Sequence, residues 1–334
     1  MQGANLVEIT RGGLVESVHQ GIVVVVDVTG RLLAQAGDPQ FTTYIRSAAK
    51  PIQAVPVVES GAAAQFSFSK EELAFLTSSH SGEDEHVRLG QHMMDKLGLN
   101  IAELQCGTHL PLHVRSARSL LSKGLAPTVL HNTCSGKHAG MLALARYRGW
   151  DLAGYYLPDH PVQRAMLQVI ADFTQLAPQE IPLGVDGCGV PVFGLTMGKM
   201  AFAYAQLARP KFLSEEWREA CRRLSEAMTS YPSLVAGTGR LTTDLMKACG
   251  PRFIAKDGAE GVFCMAIPEK GWGLAVKILD GSGRGIGPVV ISALSQLGLL
   301  QDNEKKQLTT HAIIKIKNYR DEEIGEIRPA FSLV

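Results

Sequence analysis

The sequence predicts a mixed α/β fold in which a mainly antiparallel sheet, built from strands at both ends of the chain, is flanked by helices. Apolar runs with strand character lie in the first forty residues and again after residue 250, whereas the stretch between them has helical apolar spacing. No repeat or linker divides the chain. We therefore expect one domain over residues 1–334, with the sheet from about 5–40 and 250–334 and a helical lobe over about 47–247.

The N-terminal strands are predicted where apolar residues cluster between turn signals. The run at residues 22–26, Ile-Val-Val-Val-Val, has no polar alternation, so we expect a central strand that is buried on both faces. Gly12-Gly13 and Thr29-Gly30 mark turns. The predicted strands cover residues 7–9, 14–18, 21–28 and 31–36.

The middle of the chain is predicted to be helical because its apolar residues recur every three or four positions. The predicted helices cover residues 71–78, 84–97, 116–123, 137–148, 161–174 and 214–230. Strands return at residues 252–256, 261–267 and 271–279, followed by a helix from about 286 to 300 and a partly extended tail from Asn303.

Composition excludes several classes of function. Of 334 residues, 46% are apolar and 19% are charged, and the net charge is +1, so no basic field indicates nucleic acid or an anionic membrane as a partner. The apolar run at residues 22–26 is too short to span a bilayer, and the first residues lack the features of a signal peptide. The six cysteines have no disulfide-framework spacing. We therefore expect a cytoplasmic protein with reduced thiols.

The segment Ser47-Ala48-Ala49-Lys50 is an SxxK motif. A serine hydroxyl is a weak nucleophile at neutral pH and needs a base close to it. Residues three apart on a helix share one face, so Lys50 can contact Ser47 there. A lysine serves as that base when burial or a neighbouring cation such as Arg46 lowers its pKa. The motif therefore indicates nucleophilic catalysis.

The ordinary alternative for an SxxK motif is a solvated helix start, in which Ser47 caps the helix and Lys50 is exposed. Pro51 follows Lys50 directly, and proline is tolerated only near the first turn of a helix. Ser47 is thus expected close to a helix N-terminus, where backbone N–H groups and the helix dipole favour a developing oxyanion.

A second serine and a second lysine follow in Ser78-Ser79-His80 and Lys256-Asp257-Gly258. The order SxxK, serine, KxG resembles the signatures of serine β-lactamases, penicillin-binding proteins and serine glutaminases. Two Ser–Lys pairs on one chain suggest acyl transfer from an amide-like substrate.

Two cysteines lie in loops that suit a metal site. Cys134 begins Cys134-Ser135-Gly136-Lys137-His138 before a predicted helix, and Cys188 lies in a glycine-rich loop. Two thiolates and a nitrogen donor suit Zn²⁺. The usual nitrogen ligand is a histidine, here His138 or His131, whereas a lysine binds metal only as the neutral amine. The alternative is two buried free cysteines at tight turns.

Three further polar segments are candidates for lining a pocket. Residues 79–83 form either an active-site loop or a turn that caps the helix at Asp84. Asp186 either orients a cation or a substrate amino group, or bonds to its own loop. Residues 237–240, Gly-Thr-Gly-Arg, lack the strand–turn–helix context of a nucleotide site and are interpreted as a turn.

Taken together, these segments resemble the Asparaginase II family, the rhizobial-type or class 3 L-asparaginases. The matching segments extend from Arg11 to Gly261, so the resemblance covers most of the chain. They are Arg11-Gly12, Val15-Glu16-Ser17-Val18-His19, Arg46-Ser47-Ala48-Ala49-Lys50-Pro51, Ser78-Ser79-His80-Ser81-Gly82-Glu83, His131-Asn132, Cys134-Ser135-Gly136-Lys137-His138, Asp186-Gly187-Cys188-Gly189, Gly237-Thr238-Gly239-Arg240 and Lys256-Asp257-Gly258-Ala259-Glu260-Gly261.

The resemblance implies a fold similar to that of serine β-lactamases and glutaminases, and hydrolysis of L-asparagine to L-aspartate and ammonia. It also implies two Ser–Lys tandems, Ser47 with Lys50 and Ser79 with Lys256, and assembly as a homodimer.

The same resemblance implies one zinc ion near the pocket, with a water as the fourth ligand. The matching protein ligands are Cys134, Lys137 and Cys188, so the lysine takes the place of the histidine that the residues alone favour. The expected substrate contacts or supporting residues are Arg46, His80, His138 and Asp186.

Two other functions fit the same residues. One is a β-lactamase-like serine amidohydrolase or peptidase that acts on another acyl substrate, although Asp257 replaces the threonine of the β-lactamase KTG motif. The other is a non-catalytic zinc-holding protein that binds amino acids. The complete set of two serines and two lysines argues against this second alternative.

Overall fold

In a computed structural model that describes residues 3–334, the chain forms two compact units. One unit comprises the chain up to Ala48, together with Leu195–Lys211 and Asp244–Val334. The other comprises Ala49–Gly194 and Phe212–Thr243. The first unit contains a large sheet, and the second is mostly helical. A single domain over residues 1–334 stays a prediction.

The strands are numbered in chain order. They are β1 (Ala4–Arg11), β2 (Leu14–Asp27), β3 (Leu32–Ala36), β4 (Thr42–Tyr44), β5 (Leu183–Val185), β6 (Pro191–Thr196), β7 (Ile254–Gly258), β8 (Val262–Ile267), β9 (Trp272–Ile278), β10 (Ile314–Lys317) and β11 (Glu323–Pro329).

The α-helices are numbered in the same way. They are α1 (Lys50–Gln53), α2 (Val55–Glu59), α3 (Ala62–Gln65), α4 (Lys70–Leu76), α5 (Asp84–Leu97), α6 (Val114–Ser122), α7 (Ser135–Arg148), α8 (Pro161–Thr174), α9 (Met197–Ala208), α10 (Glu215–Ser230), α11 (Pro232–Val235), α12 (Leu241–Cys249), α13 (Ile286–Gln296), α14 (Asp302–Gln307) and α15 (Thr309–Ala312). Each helix predicted from the apolar spacing is present, with its ends shifted by a few residues at most.

The large sheet has the strand order β10-β11-β1-β2-β9-β8-β7, and β3 also pairs with β2. Every pairing in it is antiparallel. The strands come from the two ends of the chain, as the sequence predicts. The predicted fold class, a mixed α/β fold with a mainly antiparallel sheet of terminal strands, is confirmed.

Strand β2 is the central strand of this sheet. Its residues 22–26 are all buried, which confirms the prediction that both of its faces are covered. The sequence predicts two strands, 14–18 and 21–28, whereas the structure has one continuous strand. The polar residues His19 and Gln20 do not break it, because they continue the ladder with β1 opposite Val7 and Asn5.

Helix α9 packs on β2, β8 and β9 although it lies in the middle of the sequence. Its residues from Met200 to Leu207 are all buried, so it lacks the amphipathic spacing that reveals the other helices. Gly273 on β9 allows the close approach, since a Cβ atom there would lie 1.8 Å from the carbonyl oxygen of Ala201.

The tail of the chain is partly extended, as predicted. Strands β10 and β11 pair with each other, and β11 also pairs with β1 at the N-terminal end of the chain. The short helices α14 and α15 precede them and were not predicted.

Helix α7 is the centre of the helical unit. It packs against α2, α3, α4, α5 and α8, and its first eleven residues are all buried. A Cβ atom at Gly136 would lie 2.2 Å from the carbonyl oxygen of Phe75, so a glycine is needed where α7 begins beside the end of α4. This contact places the first turn of α7 next to the loop that follows α4.

Candidate active site

Lys50 is a buried lysine whose amine contacts the predicted second serine. It is 1% exposed, and its Nζ atom donates hydrogen bonds to Ser79 Oγ at 2.9 Å, Ser78 O at 2.7 Å and Thr133 O at 3.3 Å. All three partners are oxygen atoms, so polar groups surround the amine. The alternative of a solvated helix start with an exposed Lys50 is therefore wrong.

The loop that carries Ser79 is held against residues 235–238. The N–H of Ser79 donates to Val235 O at 2.9 Å, and Ser81 Oγ donates to Ala236 O at 2.8 Å. Gly237 has a φ of +123°, and a Cβ atom there would lie 2.6 Å from Ser81 Oγ. The turn predicted at residues 237–240 thus packs against the Ser79 loop, and the backbone just before it accepts hydrogen bonds from that loop.

Glu83, at the end of the Ser79 loop, bonds to the same turn through Thr238. It accepts hydrogen bonds from the Thr238 backbone N–H at 2.8 Å and from Thr238 Oγ1 at 2.7 Å. Burial raises the pKa of Glu83, but the two hydrogen bonds from Thr238 outweigh it and hold the pKa below its usual value. The carboxylate is therefore ionised at neutral pH and fixes the loop.

Ser47 lies on a 3₁₀ helix over Arg46–Ala49 and is half-buried. Lys50 begins α1 directly after this turn. Arg46 has a φ of +52°, in the left-handed region that is costly for a residue with a side chain. The hydroxyl of Tyr204 donates to Ala48 O at 2.7 Å and braces the turn. Such local strain next to a candidate nucleophile is typical of functional sites.

Lys256 is fully buried on β7, an edge strand of the large sheet. Its amine donates to the carbonyl oxygen of Asp257 at 2.8 Å and to Asp257 Oδ1 at 3.0 Å. Gly258 ends the strand, and a Cβ atom there would lie 3.0 Å from Ile45 O. The KxG glycine thus lets β7 lie close to the chain that leads into Ser47.

Cys134, Lys137 and Cys188 converge, as the resemblance implies. Both cysteines are buried and free, and Cys134 precedes the first residue of α7. Lys137 Nζ lies 3.2 Å from Cys188 Sγ. Cys188, together with Lys50 and Lys137 and against the effect of burial, holds the pKa of Cys134 well below its usual value.

This donor set fits a zinc ion. Two sulfur donors and one nitrogen donor would hold zinc, and a water would be its fourth ligand. The structure places the amine of Lys137, rather than an imidazole, against Cys188. Over residues 3–334 there is no cluster of three or more His, Cys, Asp or Glu side chains that could hold a metal, so a site here needs the lysine.

Asp186 lies at the edge of the cysteine pair. Its Oδ2 atom is 3.9 Å from Cys188 Sγ, and its backbone forms the turn that carries Cys188, with Asp186 N bonded to Val190 O and Gly189 N bonded to Asp186 O. Both roles considered for Asp186, contact with the site and support of its own loop, are thus compatible with its position.

His80 is buried behind the Ser79 loop. Its Nδ1 atom accepts the N–H of Gly82 at 3.1 Å, and its Nε2 atom lies 2.9 Å from Ser135 Oγ. The ring stacks on Phe75 and on His86. Burial, with smaller effects from nearby cationic groups, holds the pKa of His80 well below its usual value. His80 therefore joins the Ser79 loop to α7 as a neutral imidazole.

His138 is also fully buried, on the first turns of α7. Its Nδ1 atom lies 2.6 Å from the hydroxyl of Tyr155, which also accepts the backbone N–H of Gln105 at 2.9 Å. Burial, Lys137 and Lys50 hold the pKa of His138 well below its usual value. Tyr155 and Thr133 belong to this region but lie in no motif that the sequence analysis recognised.

The structure thus brings together Lys50 with Ser79, and Lys137 with Cys134 and Cys188. Two expectations stay predictions: the pairing of Ser47 with Lys50 and of Ser79 with Lys256, and the substrate contacts from Arg46, His80, His138 and Asp186.

In the described part of the chain, no helix is both long enough and apolar enough to cross a membrane.

Comparisons with known proteins were made for sequence and structure. The profile of the family described as L-asparaginase II matches residues 7–329. A search of curated protein sequences found no match. A solved β-lactamase from Mycobacterium bovis is 13% identical, with a TM-score of 0.42 over 83% of this chain and 94% of its own. The native form of Mglu is 15% identical, with a TM-score of 0.39 over 87% of this chain and 68% of its own.

Proposed function

Because the chain belongs to the L-asparaginase II family, we propose that it hydrolyses L-asparagine to L-aspartate and ammonia. The family places the protein among the amidohydrolases. The contact that carries the proposal is the one of 2.9 Å between Lys50 Nζ and Ser79 Oγ, shielded from solvent. A buried lysine that is bonded to one serine and preceded by another in the SxxK motif suits acyl transfer, because the lysine can accept the proton that a serine nucleophile must lose.

In the proposed first step, the hydroxyl of Ser47 attacks the side-chain amide carbon of asparagine. Lys50, in its neutral form, accepts the hydroxyl proton, and the C–N bond then breaks. Ammonia leaves with that proton, and an ester between Ser47 and the aspartyl group remains. Backbone N–H groups at the start of the Ser47 turn are candidate donors to the oxyanion.

In the second step, a water molecule attacks the ester carbon. Its proton returns to the oxygen of Ser47, and L-aspartate is released, so the sum is asparagine plus water giving aspartate plus ammonia. Ser79 is hydrogen-bonded to Lys50 and therefore acts as a proton relay to that amine. Lys256 completes the second proposed Ser–Lys tandem with Ser79.

We further propose that Cys134, Lys137 and Cys188 hold one zinc ion, with Lys137 as the neutral amine. The support is the contact of Lys137 with Cys188 and the lowered pKa of Cys134, which favours its thiolate form beside Cys188 and Lys137. A bound zinc ion would supply a fixed positive charge and Lewis-acid polarisation near the substrate. In this proposal, Asp186, whose Oδ2 atom lies 3.9 Å from Cys188 Sγ, orients the substrate amino group.

A homodimer and a cytoplasmic location complete the proposal. The dimer follows from the resemblance, and the location follows from six free cysteines without a disulfide framework. Light scattering on the purified protein would give the oligomeric state directly.

The direct test of the substrate is ammonia release from L-asparagine and from L-glutamine, measured side by side. One methylene group separates the two amides, which in a pocket is worth about 1–3 kcal/mol unless polar groups are also misplaced. The proposal predicts faster release from asparagine. Release from neither amide by a zinc-loaded enzyme, together with covalent labelling by a β-lactam, would instead indicate hydrolysis of another acyl substrate.

A further inference from the structure

Lys277 is a buried lysine that the proposed mechanism does not use. It lies on β9, an interior strand of the large sheet, and is 5% exposed. Its partners on the adjoining strands, Ile22 and Val262, are buried apolar residues. A buried ammonium group is costly, and an apolar side chain of similar volume often serves such a position equally well or better. A lysine at this position therefore indicates a specific use for its amine.

The amine of Lys277 holds the turn that joins β7 to β8. Its Nζ atom donates a hydrogen bond to the backbone oxygen of Glu260. The next residue of the turn, Gly261, accepts the backbone N–H of Ile278 at 2.8 Å. Two consecutive residues of β9 thus hold two consecutive carbonyl groups of the turn, one through its side chain and the other through its backbone.

The turn has an unfavourable backbone conformation at Glu260. Its φ angle is +60°, in the left-handed region that is costly for a residue with a Cβ atom. Gly261 also has a positive φ, of +68°, which a glycine adopts freely. The hydrogen bond from Lys277 is therefore made to the one residue of this pair that needs to be held in its conformation.

The hairpin of β7 and β8 carries or contacts two parts of the candidate site. Lys256 lies on β7, two residues before Gly258. At Gly258 the strand comes close to Ile45, since a Cβ atom there would lie 3.0 Å from Ile45 O. Ile45 directly precedes the 3₁₀ helix that contains Ser47. A displacement of the hairpin would therefore move Lys256 relative to the Ser47 turn.

We propose that Lys277 is a positioning residue for the reaction. By holding Glu260 O, it keeps the hairpin against the chain that leads into Ser47 and so fixes the place of Lys256. Its importance for turnover rests on the proposed function, in which Ser47 and Lys256 both take part. Lys277 acts only through the backbone of the hairpin.

The first measurement is the turnover of L-asparagine by Lys277→Met, which loses the amine but keeps an unbranched apolar side chain. We expect kcat to fall about tenfold or more, because small displacements of the reacting groups are costly. KM should change less than about threefold, since the residue does not contact the substrate. Lys270→Met removes an exposed lysine from the turn between β8 and β9, at the other end of these strands, and should retain the wild-type kcat.

The second measurement is rescue at residue 260. A glycine takes a left-handed φ without strain, so Glu260→Gly should restore most of the lost kcat when it is added to Lys277→Met. Glu260→Gln removes the same negative charge but keeps a Cβ atom, so it should give no rescue. If Lys277 only stabilised the fold, Lys277→Met would lower the unfolding midpoint and leave the kcat of the folded protein unchanged.

A second variant covers the case in which Lys277→Met does not fold. Gly258→Ala places a Cβ atom 3.0 Å from Ile45 O and so shifts the same hairpin while Lys277 is intact. It should also lower kcat, and an unchanged kcat in this variant would overturn the inference.

Nitrogen-15 NMR of glycine-labelled protein gives a readout that needs no substrate. The Gly258 signal should shift in Lys277→Met and return towards its wild-type position when Glu260→Gly is added. An unchanged kcat in Lys277→Met, or an equal loss with and without Glu260→Gly, would overturn the inference even if asparagine is hydrolysed. A shifted and rescued Gly258 signal, in a protein that releases no ammonia from asparagine, would support the hold on the hairpin and contradict the proposed function.

Discussion

The amine of Lys50 lies 2.9 Å from the hydroxyl of Ser79 and is closed off from solvent. These residues are 29 positions apart in the chain, and tertiary packing brings them together. The loop after α4 carries Ser78 and Ser79, and the chain before α7 supplies Thr133 O as a further acceptor for the amine. Any account of catalysis by this chain must therefore treat Lys50 and Ser79 as one unit.

Replacement of Lys50 by methionine should abolish most of the activity. The change removes the proton acceptor, which contributes about 10²–10⁴-fold in enzymes of this kind. It also leaves three buried oxygen atoms without their donor, so we expect a loss of about 1–3 kcal/mol in the free energy of unfolding. Turnover of asparagine and urea unfolding measure the two effects separately. Lys70→Met, at an exposed lysine on α4, is the matched control, and an active Lys50→Met protein would contradict the mechanism.

The zinc site should depend on each of its three ligands. We expect about one zinc ion per chain in the wild type, and more than about 100-fold weaker binding after Cys134→Ser, Lys137→Met or Cys188→Ser. Metal analysis after dialysis against a weak chelator measures this. Cys221→Ala changes a buried cysteine on α10 and should retain full occupancy. Equal zinc content in Lys137→Met and the wild type would show that Lys137 is not a ligand.

Stability should fall in mild acid because of buried neutral histidines. His80 has a pKa well below the usual value of 6.5 in the fold, mainly because it is buried. Above pH 6.5 it is neutral in both the folded and the unfolded chain and has no effect. As the pH falls through 6.5, the unfolded chain binds a proton that the folded chain does not, so unfolding becomes more favourable.

Urea unfolding at pH 7.5 and pH 5.5 checks this expectation. His80→Asn keeps an acceptor for the N–H of Gly82 but has no titrating group, so its stability should fall less between the two pH values than that of the wild type. An identical fall in both proteins would show that His80 does not contribute to the acid sensitivity.

The close contact at the start of α7 should tolerate no side chain. Gly136→Ala places a Cβ atom 2.2 Å from the backbone oxygen of Phe75, so α7 must move away from α4. We expect a loss of about 1–3 kcal/mol in stability, with reduced activity, since Thr133, just before α7, accepts a hydrogen bond from Lys50. Gly90→Ala is the control, because its Cβ atom meets the flexible side chain of Leu130 at 3.1 Å. Comparable unfolding midpoints for the two variants would contradict this account.

The parts of the fold that sequence predicts are those encoded by local pattern. The uninterrupted run at residues 22–26 predicts a doubly buried strand, and the structure confirms it. Helix α9 was missed because its buried residues surround the helix and leave no amphipathic period to recognise. Residues 14–18 and 21–28 form one strand, β2, because His19 and Gln20 between them pair with β1. The local sequence does not reveal this long-range pairing.

The same distinction applies to the candidate site. The motif residues could be named because SxxK and the cysteine loops are local. The partner of Lys50 could not be read from spacing, because spacing favours Ser47 whereas tertiary packing brings in Ser79. Tyr155 lies in no motif, and only the structure shows that its hydroxyl contacts His138.

The most direct test of the central claim is ammonia release from L-asparagine by the wild type, Ser47→Ala and Ser79→Ala, with folding verified by urea unfolding. The account predicts release by the wild type and loss of about 10⁴-fold or more in Ser47→Ala, because removing a nucleophile in such a unit costs nearly all of its catalysis. It predicts a smaller loss in Ser79→Ala, where a proton relay is removed. Wild-type turnover by Ser47→Ala would contradict the account and move the nucleophile away from the SxxK motif.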